Sequence, residues 1–230
     1  MNFKTLDDVD VAGKTVIVRV DVNSPIDPST GSIQDNERIQ AHAKTLRELS
    51  DKNAKVVVLA HQGRKGGSDF LPLKQHAELL SKHIGKPVKY VPDLLGDEAE
   101  KAIKSMKNGD ILLLENVRIL DDETKEASPE EHAKGPLVSK LSQFADLFVL
   151  DAFSVAHRSH ASIVGFAAKL PVVAGRVMEM ELKALSELLE KRSRIMLFMG
   201  GNKPEDSMKV VEAILNRGRP EIKMLLSAGI

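Results

Sequence analysis

The chain has 230 residues, of which 42% are hydrophobic, and its 33 lysines and arginines are balanced by 33 aspartates and glutamates. A hydrophobic fraction of that size supports a folded core and argues against intrinsic disorder. The zero net charge argues against a general nucleic-acid or anionic-membrane binder, and the absence of cysteine excludes disulfides and thiolate metal sites. We see neither a signal peptide nor an apolar run long enough to span a membrane, so we expect a cytoplasmic protein.

Short apolar runs rich in valine, isoleucine and leucine alternate along the chain with segments of helical periodicity. Continuous runs of this kind are typical of strands that are covered on both faces. They predict strands at residues 15–20, 55–60, 87–91, 110–114, 146–150, 195–199 and 222–226. The periodic segments predict helices near residues 39–49, 73–84, 98–106, 130–144, 178–189 and 206–215. The alternation indicates an α/β fold, with a Rossmann-like parallel sheet and helices on both of its faces.

A domain boundary is predicted near Pro171, which interrupts the chain before a strongly amphipathic segment. We expect a first domain at residues 1–172, an interdomain helix at 173–192 and the start of a second α/β domain at 193–230. The last residues, 225–230, have the pattern of a strand that runs into a glycine turn. Because that is a poor place for a domain to finish, the second domain is expected to be incomplete.

Polar side chains follow several predicted strands at their carboxyl ends, the edge at which open α/β sheets bind ligands. Asp21 and Asn23 follow the first strand and share one side of an extended chain, since alternate residues point the same way. Arg38 lies near the start of a helix that Asp35 or Asn36 would cap, and such a location favours anions. Taken singly, these are also the features of a solvated strand end and of an ordinary surface arginine, which are the commoner cases.

Further cationic side chains follow the second, fourth and fifth predicted strands. The second leads into a glycine-rich loop with His61, Gly63 and Arg64, a composition that suits either an anion-binding loop or a flexible basic one. Arg118 follows the fourth strand and Arg158 follows the fifth. So many cations at one edge of a sheet repel each other unless an anion joins them. The sequence therefore predicts a site for a small, doubly anionic ligand.

Two other groups of residues bear on metal and phosphate binding. His157 and His160 are three residues apart, but no third ligand is spaced for zinc, so hydrogen bonding is expected and a metal site is not. Gly200 and Gly201 lie between a predicted strand and a predicted helix, where they would let backbone approach a ligand. Lys203 adds a point charge for phosphate, although the spacing is not that of a Walker loop.

Six sequence motifs follow one another along the chain. They are Arg-Val-Asp-x-Asn-x-Pro at 19–25, Asp-Asn-x-Arg-Ile at 35–39, His-x-Gly-Arg at 61–64, Leu-Glu-Asn-x-Arg at 114–118, Asp-Ala-Phe-x-x-Ala-His-Arg at 151–158 and Gly-Gly-x-Lys at 200–203. In this order they resemble the phosphoglycerate kinase family, and the resemblance covers essentially the whole chain. Gln62 and the Asn-Ser-Pro ending of the first motif resemble the archaeal branch in particular.

The resemblance implies a hinge-bending, glycolytic kinase that transfers a phosphoryl group reversibly between 1,3-bisphosphoglycerate and ADP, giving 3-phosphoglycerate and ATP. It implies phosphoglycerate binding by residues 1–172, a hinge helix at 173–192, and the start of the nucleotide-binding domain at 193–230. The residues implied to bind phosphoglycerate are Asp21, Asn23, Arg38, His61, Gln62, Gly63, Arg64, Arg118, His157 and Arg158. Those implied to contact nucleotide are Gly200, Gly201 and Lys203. Arg38 and Lys203 would stabilise the transferring phosphoryl group, and Mg²⁺ would accompany ADP or ATP, mainly on the C-terminal domain.

Three departures from the family pattern affect the nucleotide side. Asn202 replaces the usual alanine, Ser207 replaces a lysine that many members carry, and the chain ends at Ile230 before most of the second domain. We therefore expect negligible kinase activity from these residues alone. The alternatives are a truncated, inactive fragment and a non-catalytic phosphoglycerate-binding module, which would have little reason to keep the turn from Gly200 to Lys203. A nucleic-acid binder is disfavoured because the chain has one tyrosine and no tryptophan for base stacking.

Overall fold

In the computed structural model, which describes residues 3–190, 195–199, 212, 216 and 222–226, the apolar runs pair into a fully parallel six-stranded sheet. Its strands are β1 (Thr15–Arg19), β2 (Lys55–Leu59), β3 (Val88–Tyr90), β4 (Ile111–Leu113), β5 (Leu147–Leu150) and β6 (Val172–Ala174). They lie in the order β3-β4-β2-β1-β5-β6. The predicted parallel α/β sheet is therefore confirmed, with strands β1 to β5 close to their predicted positions.

Strand β6 is absent from the prediction. It is short and directly follows Pro171, whose missing N–H and fixed φ favour a chain break in a sequence-based analysis. In the structure β6 pairs with β5, with Phe148 opposite Val172 and Leu150 opposite Ala174. The first sheet thus continues past the predicted break at Pro171.

Helices connect the strands. They are α1 (Glu37–Asp51), α2 (Lys74–Ile84), α3 (Asp97–Lys104), α4 (Pro129–His132), α5 (Pro136–Leu141), α6 (Ala161–Val164) and α7 (Arg176–Glu190). The single helix predicted at 130–144 is wrong, because α4 ends before Gly135 and α5 begins at Pro136. Proline disfavours helical backbone in the residue before it, and its own first-turn position needs no N–H partner. None of the described helices is long and apolar enough to cross a membrane.

Two apolar cores lie on opposite faces of the sheet, because successive strand residues point to opposite sides. Val16 and Val18 of β1 belong to one core, which also receives Leu46 of α1 and Leu80 of α2. Ile17, between those two valines, belongs to the other, together with residues of α3 and α5. The sheet is therefore covered on both faces, as its continuous apolar strands predict.

The chain divides into two compact units, Met1–Leu182 and Lys183–Ile230. The first contains the six-stranded sheet. In the second, β7 (Ile195–Met199) and β8 (Ile222–Leu226) form a parallel pair. The helix predicted at 206–215 lies outside the described residues, and the domain limits of the sequence analysis stay a prediction.

Candidate anion-binding site

The carboxyl ends of β1 and β5 form a crevice at one edge of the sheet. β1 lies between β2 and β5, and the chain continues from β1 to β2 on one side and from β5 to β6 on the other. Such a switch point opens a crevice at the carboxyl ends of the strands. Asp21, just after β1, meets Ser154, which lies in a short 3₁₀ helix (Phe153–Val155) after β5 and donates a hydrogen bond from its hydroxyl to the Asp21 carboxylate.

Asp21 holds Arg38 at this crevice. The carboxylate is buried, and it accepts a hydrogen bond from Nη1 of Arg38 at 2.9 Å. The Arg38 side chain is 54% exposed and thus able to reach a ligand. Asn36 caps α1 by accepting from the backbone N–H of Arg38 at 3.0 Å, as predicted for Asp35 or Asn36. Burial opposes ionisation of Asp21, but the Ser154 hydrogen bond and nearby positive charges outweigh it and lower the pKa of Asp21 below its ordinary value.

Gly63 joins the loops that follow β1, β2 and β4. Its N–H donates to Oδ1 of Asn23 at 2.8 Å, and its carbonyl accepts from Nη1 of Arg118. Its φ is +65°, and a Cβ at this position would lie 2.1 Å from the backbone oxygen of Asp69. Only glycine adopts this conformation readily at so close an approach. The glycine-rich loop is therefore a fixed connection between Asn23 and Arg118.

Gln62 is buried behind this loop. Its Oε1 accepts from the backbone N–H of Ser24 at 2.8 Å, and its Nε2 donates to the Ser24 carbonyl at 3.0 Å. Oε1 also lies 3.1 Å from Nε2 of His76. The amide is 1% exposed, and these contacts with its neighbours occupy both of its polar atoms.

Arg118, Arg158 and Arg64 form the cationic part of the site. Arg118 lies in a 3₁₀ helix (Val117–Ile119) after β4, and its pKa is lowered by burial and then by the positive charges of Arg158 and Arg64. The pKa of His160 falls to about 4, because burial and the charges of Arg158 and Arg118 disfavour its protonated form. The mutual repulsion is what an anion bound between these groups would relieve.

His61 contributes a hydrogen-bonding group rather than a charge. It is buried, and burial together with the positive charges of Arg19 and Arg118 lowers its pKa to about 2. The imidazole is therefore neutral across the physiological range. His157, which the sequence places beside Arg158, is exposed.

A buried hydrogen-bond chain connects the site to the start of α7. The backbone N–H of Asp21 donates to Nε2 of His42 at 3.2 Å, so Nε2 is an acceptor and Nδ1–H donates to Oδ2 of Asp151 at 2.9 Å. Oδ1 of Asp151 accepts from the backbone N–H groups of Val177 at 2.8 Å and Met178 at 3.4 Å. Asp151 thus satisfies amides at the N-terminus of α7 that have no intrahelical partner.

An open cavity of about 1010 Å³ adjoins the site. It reaches the site at Asn23 and Arg38, and its other walls include Ser68 and Asp69. Ligand-sized space therefore exists beside Arg38, whereas Arg118 and Arg158 are not among the residues that line this cavity.

A model of the family described as phosphoglycerate kinase matches residues 6–229. The chain belongs to the phosphoglycerate kinase family. It is 48% identical over 229 residues to the phosphoglycerate kinase of Methanothermobacter thermautotrophicus, an alignment that covers 99% of this chain and 55% of the relative. It is 51% identical over 207 residues to that of Pyrobaculum aerophilum, covering 90% of this chain and 50% of the relative.

Solved phosphoglycerate kinases have the same fold. The Pyrococcus horikoshii crystal structure has a TM-score of 0.89 and 40% identity, covering 98% of this chain and 55% of that one. The Coxiella burnetii structure has a TM-score of 0.76 and 29% identity, covering 99% of this chain and 54% of that one. The chain therefore spans about half the length of the phosphoglycerate kinases that it matches. Since these relatives are mostly archaeal, the predicted resemblance to the archaeal branch is confirmed.

Most of the site residues predicted from the phosphoglycerate kinase motifs lie at one edge of the sheet. They are Asp21, Asn23, Arg38, His61, Gly63, Arg64, Arg118, His157 and Arg158. Gln62 lies in the layer behind. Gly200, Gly201 and Lys203 lie outside the described residues. The predicted site residues left out Ser154, which no sequence motif marks as a partner of Asp21, and His160, for which the sequence predicted hydrogen bonding but no contact with the ligand.

Proposed function

We propose that this chain is the phosphoglycerate-binding half of a phosphoglycerate kinase. The observation that carries the proposal is the convergence of Arg158 and Arg64 on Arg118, whose pKa is lowered by burial and by their positive charges. Guanidinium groups bind phosphate and carboxylate through paired hydrogen bonds. A ligand with a phosphate and a second acid group, such as 3-phosphoglycerate, matches a cluster of this kind.

The crevice between β1 and β5 would receive the other end of the ligand. Asp21 is an acceptor for a hydroxyl group, while the neutral His61 is a donor for a carboxylate or phosphate oxygen. Arg38 is half exposed, and within the described part of the chain it is held by one ion pair, with Asp21. It is therefore the cation with the freedom to follow a phosphoryl group that leaves the ligand.

For the reaction of the family, we propose phosphoryl transfer between 1,3-bisphosphoglycerate and ADP. In the direction that phosphorylates 3-phosphoglycerate, the accepting carboxylate is already ionised, so the residues of this chain need to position it and to neutralise charge rather than remove a proton. Arg38 and Lys203 are the proposed stabilisers of the transferring group, and Gly200 and Gly201 the proposed backbone contacts with nucleotide. Mg²⁺, which would accompany ADP or ATP, would supply positive charge that neutralises the phosphates during transfer. Among the described residues, no cluster of three acidic or histidine side chains is arranged to hold a metal ion. A cytoplasmic location is part of the same proposal.

Isothermal titration calorimetry with 3-phosphoglycerate tests the binding half of the proposal. We expect binding to the 230-residue chain, and at least a tenfold loss of affinity in Arg38→Ala, since one charge-assisted hydrogen bond contributes about 1.5–3 kcal/mol. Arg47→Ala is the matched control, because Arg47 is an exposed arginine of the same helix whose guanidinium is bonded to the carbonyl of His83. Equal losses in the two variants, or no binding to the parent chain, would contradict the proposal.

A titration with Mg-ATP and a coupled kinase assay distinguish half of a kinase from a non-catalytic phosphoglycerate-binding module. We expect neither nucleotide binding nor turnover by this chain alone. Turnover restored by supplying the C-terminal half of a related kinase would support the kinase over a dedicated phosphoglycerate-binding module.

A further inference from the structure

Arg19, the last residue of β1, is a buried cation that is not among the predicted site residues. It is 2% exposed, which is rare for a charged side chain unless it is well paired. Its Nε donates to the hydroxyl of Ser162 at 2.8 Å, and Nη1 donates to the carbonyl of Val20. Its Nη2 lies 3.1 Å from Nδ1 of His61. The guanidinium therefore connects Ser162 to the imidazole of His61.

The contact with Arg19 decides which nitrogen of His61 carries the proton. A guanidinium only donates hydrogen bonds, so Nδ1 of His61 must accept. The neutral ring then carries its hydrogen on Nε2, and the hydrogen bonds of the described residues leave Nε2 without a partner. His61 is thus oriented as an Nε2–H donor.

Glu123 holds the other end of this chain of bonds. It is 1% exposed, and its two carboxylate oxygens accept from the N–H of Ser162 at 2.9 Å and from the hydroxyl of Ser162 at 2.6 Å. Because the hydroxyl hydrogen is committed to Glu123, the Ser162 oxygen has its lone pairs available to Nε of Arg19. The carboxylate also supplies the negative charge that a buried guanidinium requires.

We propose that Glu123 is a positioning residue for the phosphoglycerate site, acting through Ser162 and Arg19 to keep His61 as an Nε2–H donor toward the anionic ligand. The inference rests on the proposed function for the identity of the ligand. The arrangement explains how a site rich in arginine uses a histidine: the ring adds a directed hydrogen bond without adding a further positive charge.

Glu123→Gln tests this chain of bonds. The amide has one accepting oxygen and a donating NH₂, so it no longer accepts from both donors of Ser162, and the hydroxyl is released from its fixed orientation. Long-range ¹H–¹⁵N spectra of the imidazoles report the tautomer of His61 directly. We expect a single Nε2–H tautomer in the parent chain, a mixture in Glu123→Gln, and about a tenfold weaker affinity for 3-phosphoglycerate by calorimetry.

Ser162→Ala breaks the same series of hydrogen bonds without changing a charged residue. It replaces Glu123→Gln in the test if that variant does not fold. The matched control is Glu126→Gln, an exposed glutamate in the same segment, which should leave tautomer and affinity unchanged. An unchanged His61 tautomer in a folded Glu123→Gln or Ser162→Ala variant would overturn the proposal, whether or not affinity falls. If the parent chain does not bind 3-phosphoglycerate, the proposed function fails, while the tautomer comparison in the ligand-free proteins still decides whether Glu123 positions His61.

Discussion

The buried imidazole of His76 should make the protein less stable in acid. The ring is fully buried on α2, with Nε2 3.1 Å from Oε1 of Gln62. Burial lowers its pKa to about 4, whereas an unfolded histidine has a pKa of about 6.5. Between those values the unfolded chain binds a proton that the folded chain does not, so stability falls as the pH falls.

The size of this effect follows from the two pKa values. From about pH 8 to about pH 5, the folded state should lose about 2 kcal/mol relative to the unfolded state through His76 alone. In His76→Gln nothing titrates at this position, so the variant should lose about 2 kcal/mol less than the parent over the same range. Urea denaturation of both proteins at the two pH values gives this double difference, from which all other titrating groups cancel. Equal pH-dependent losses in the two proteins would refute the reasoning.

Three further substitutions test the fold and the site. Gly63→Ala should destabilise the chain by about 1–3 kcal/mol in urea denaturation, since its φ is +65° and the new Cβ would meet the Asp69 carbonyl; unchanged stability would show that the loop is free to move. Phe166→Ala removes a ring stacked 5.0 Å from that of Phe148 and should cost about 3–5 kcal/mol in the same assay; a loss below about 1 kcal/mol would mean that this core refills easily. Arg158→Ala should weaken 3-phosphoglycerate at least tenfold by calorimetry while leaving thermal stability nearly unchanged; unchanged affinity would remove Arg158 from the site.

The position of the site could be predicted because it depends on strand order along the chain. Parallel strands bring their carboxyl ends to one edge, so Asp21, Arg118 and Arg158, which follow three different strands, had to lie near the same edge. The glycine requirement at Gly63 is likewise local, since a basic glycine-rich turn after a strand is visible in the sequence.

The partners of these residues could not be predicted, because they depend on packing between segments that are distant in sequence. From the sequence alone, Arg19 resembles an ordinary cation at the end of a strand, but its hydrogen-bond partner Ser162 lies 143 residues away. His42 reads as one more residue of an amphipathic helix, and only the packing of α1 against the sheet brings it to Asp151, 109 residues away. Neither contact can be recognised from the periodicity or the composition of the sequence.

The errors in predicting strand β6 and the helix at 130–144 have simpler explanations. Strand β6 is three residues long, too short for the apolar-run criterion, and it owes its existence to pairing with β5. The helix predicted at 130–144 fails at Gly135 and Pro136, where local backbone preferences override a continuous apolar periodicity.

Amide chemical-shift mapping with ¹⁵N-labelled protein is the decisive measurement for the proposed phosphoglycerate site, because it reports both whether 3-phosphoglycerate binds and where. We expect saturable shifts concentrated at Gly63, Arg118, Arg158 and the first turn of α1. Shifts confined to another basic surface, such as that around Lys44 and Arg47, or no shifts in a folded protein, would contradict it.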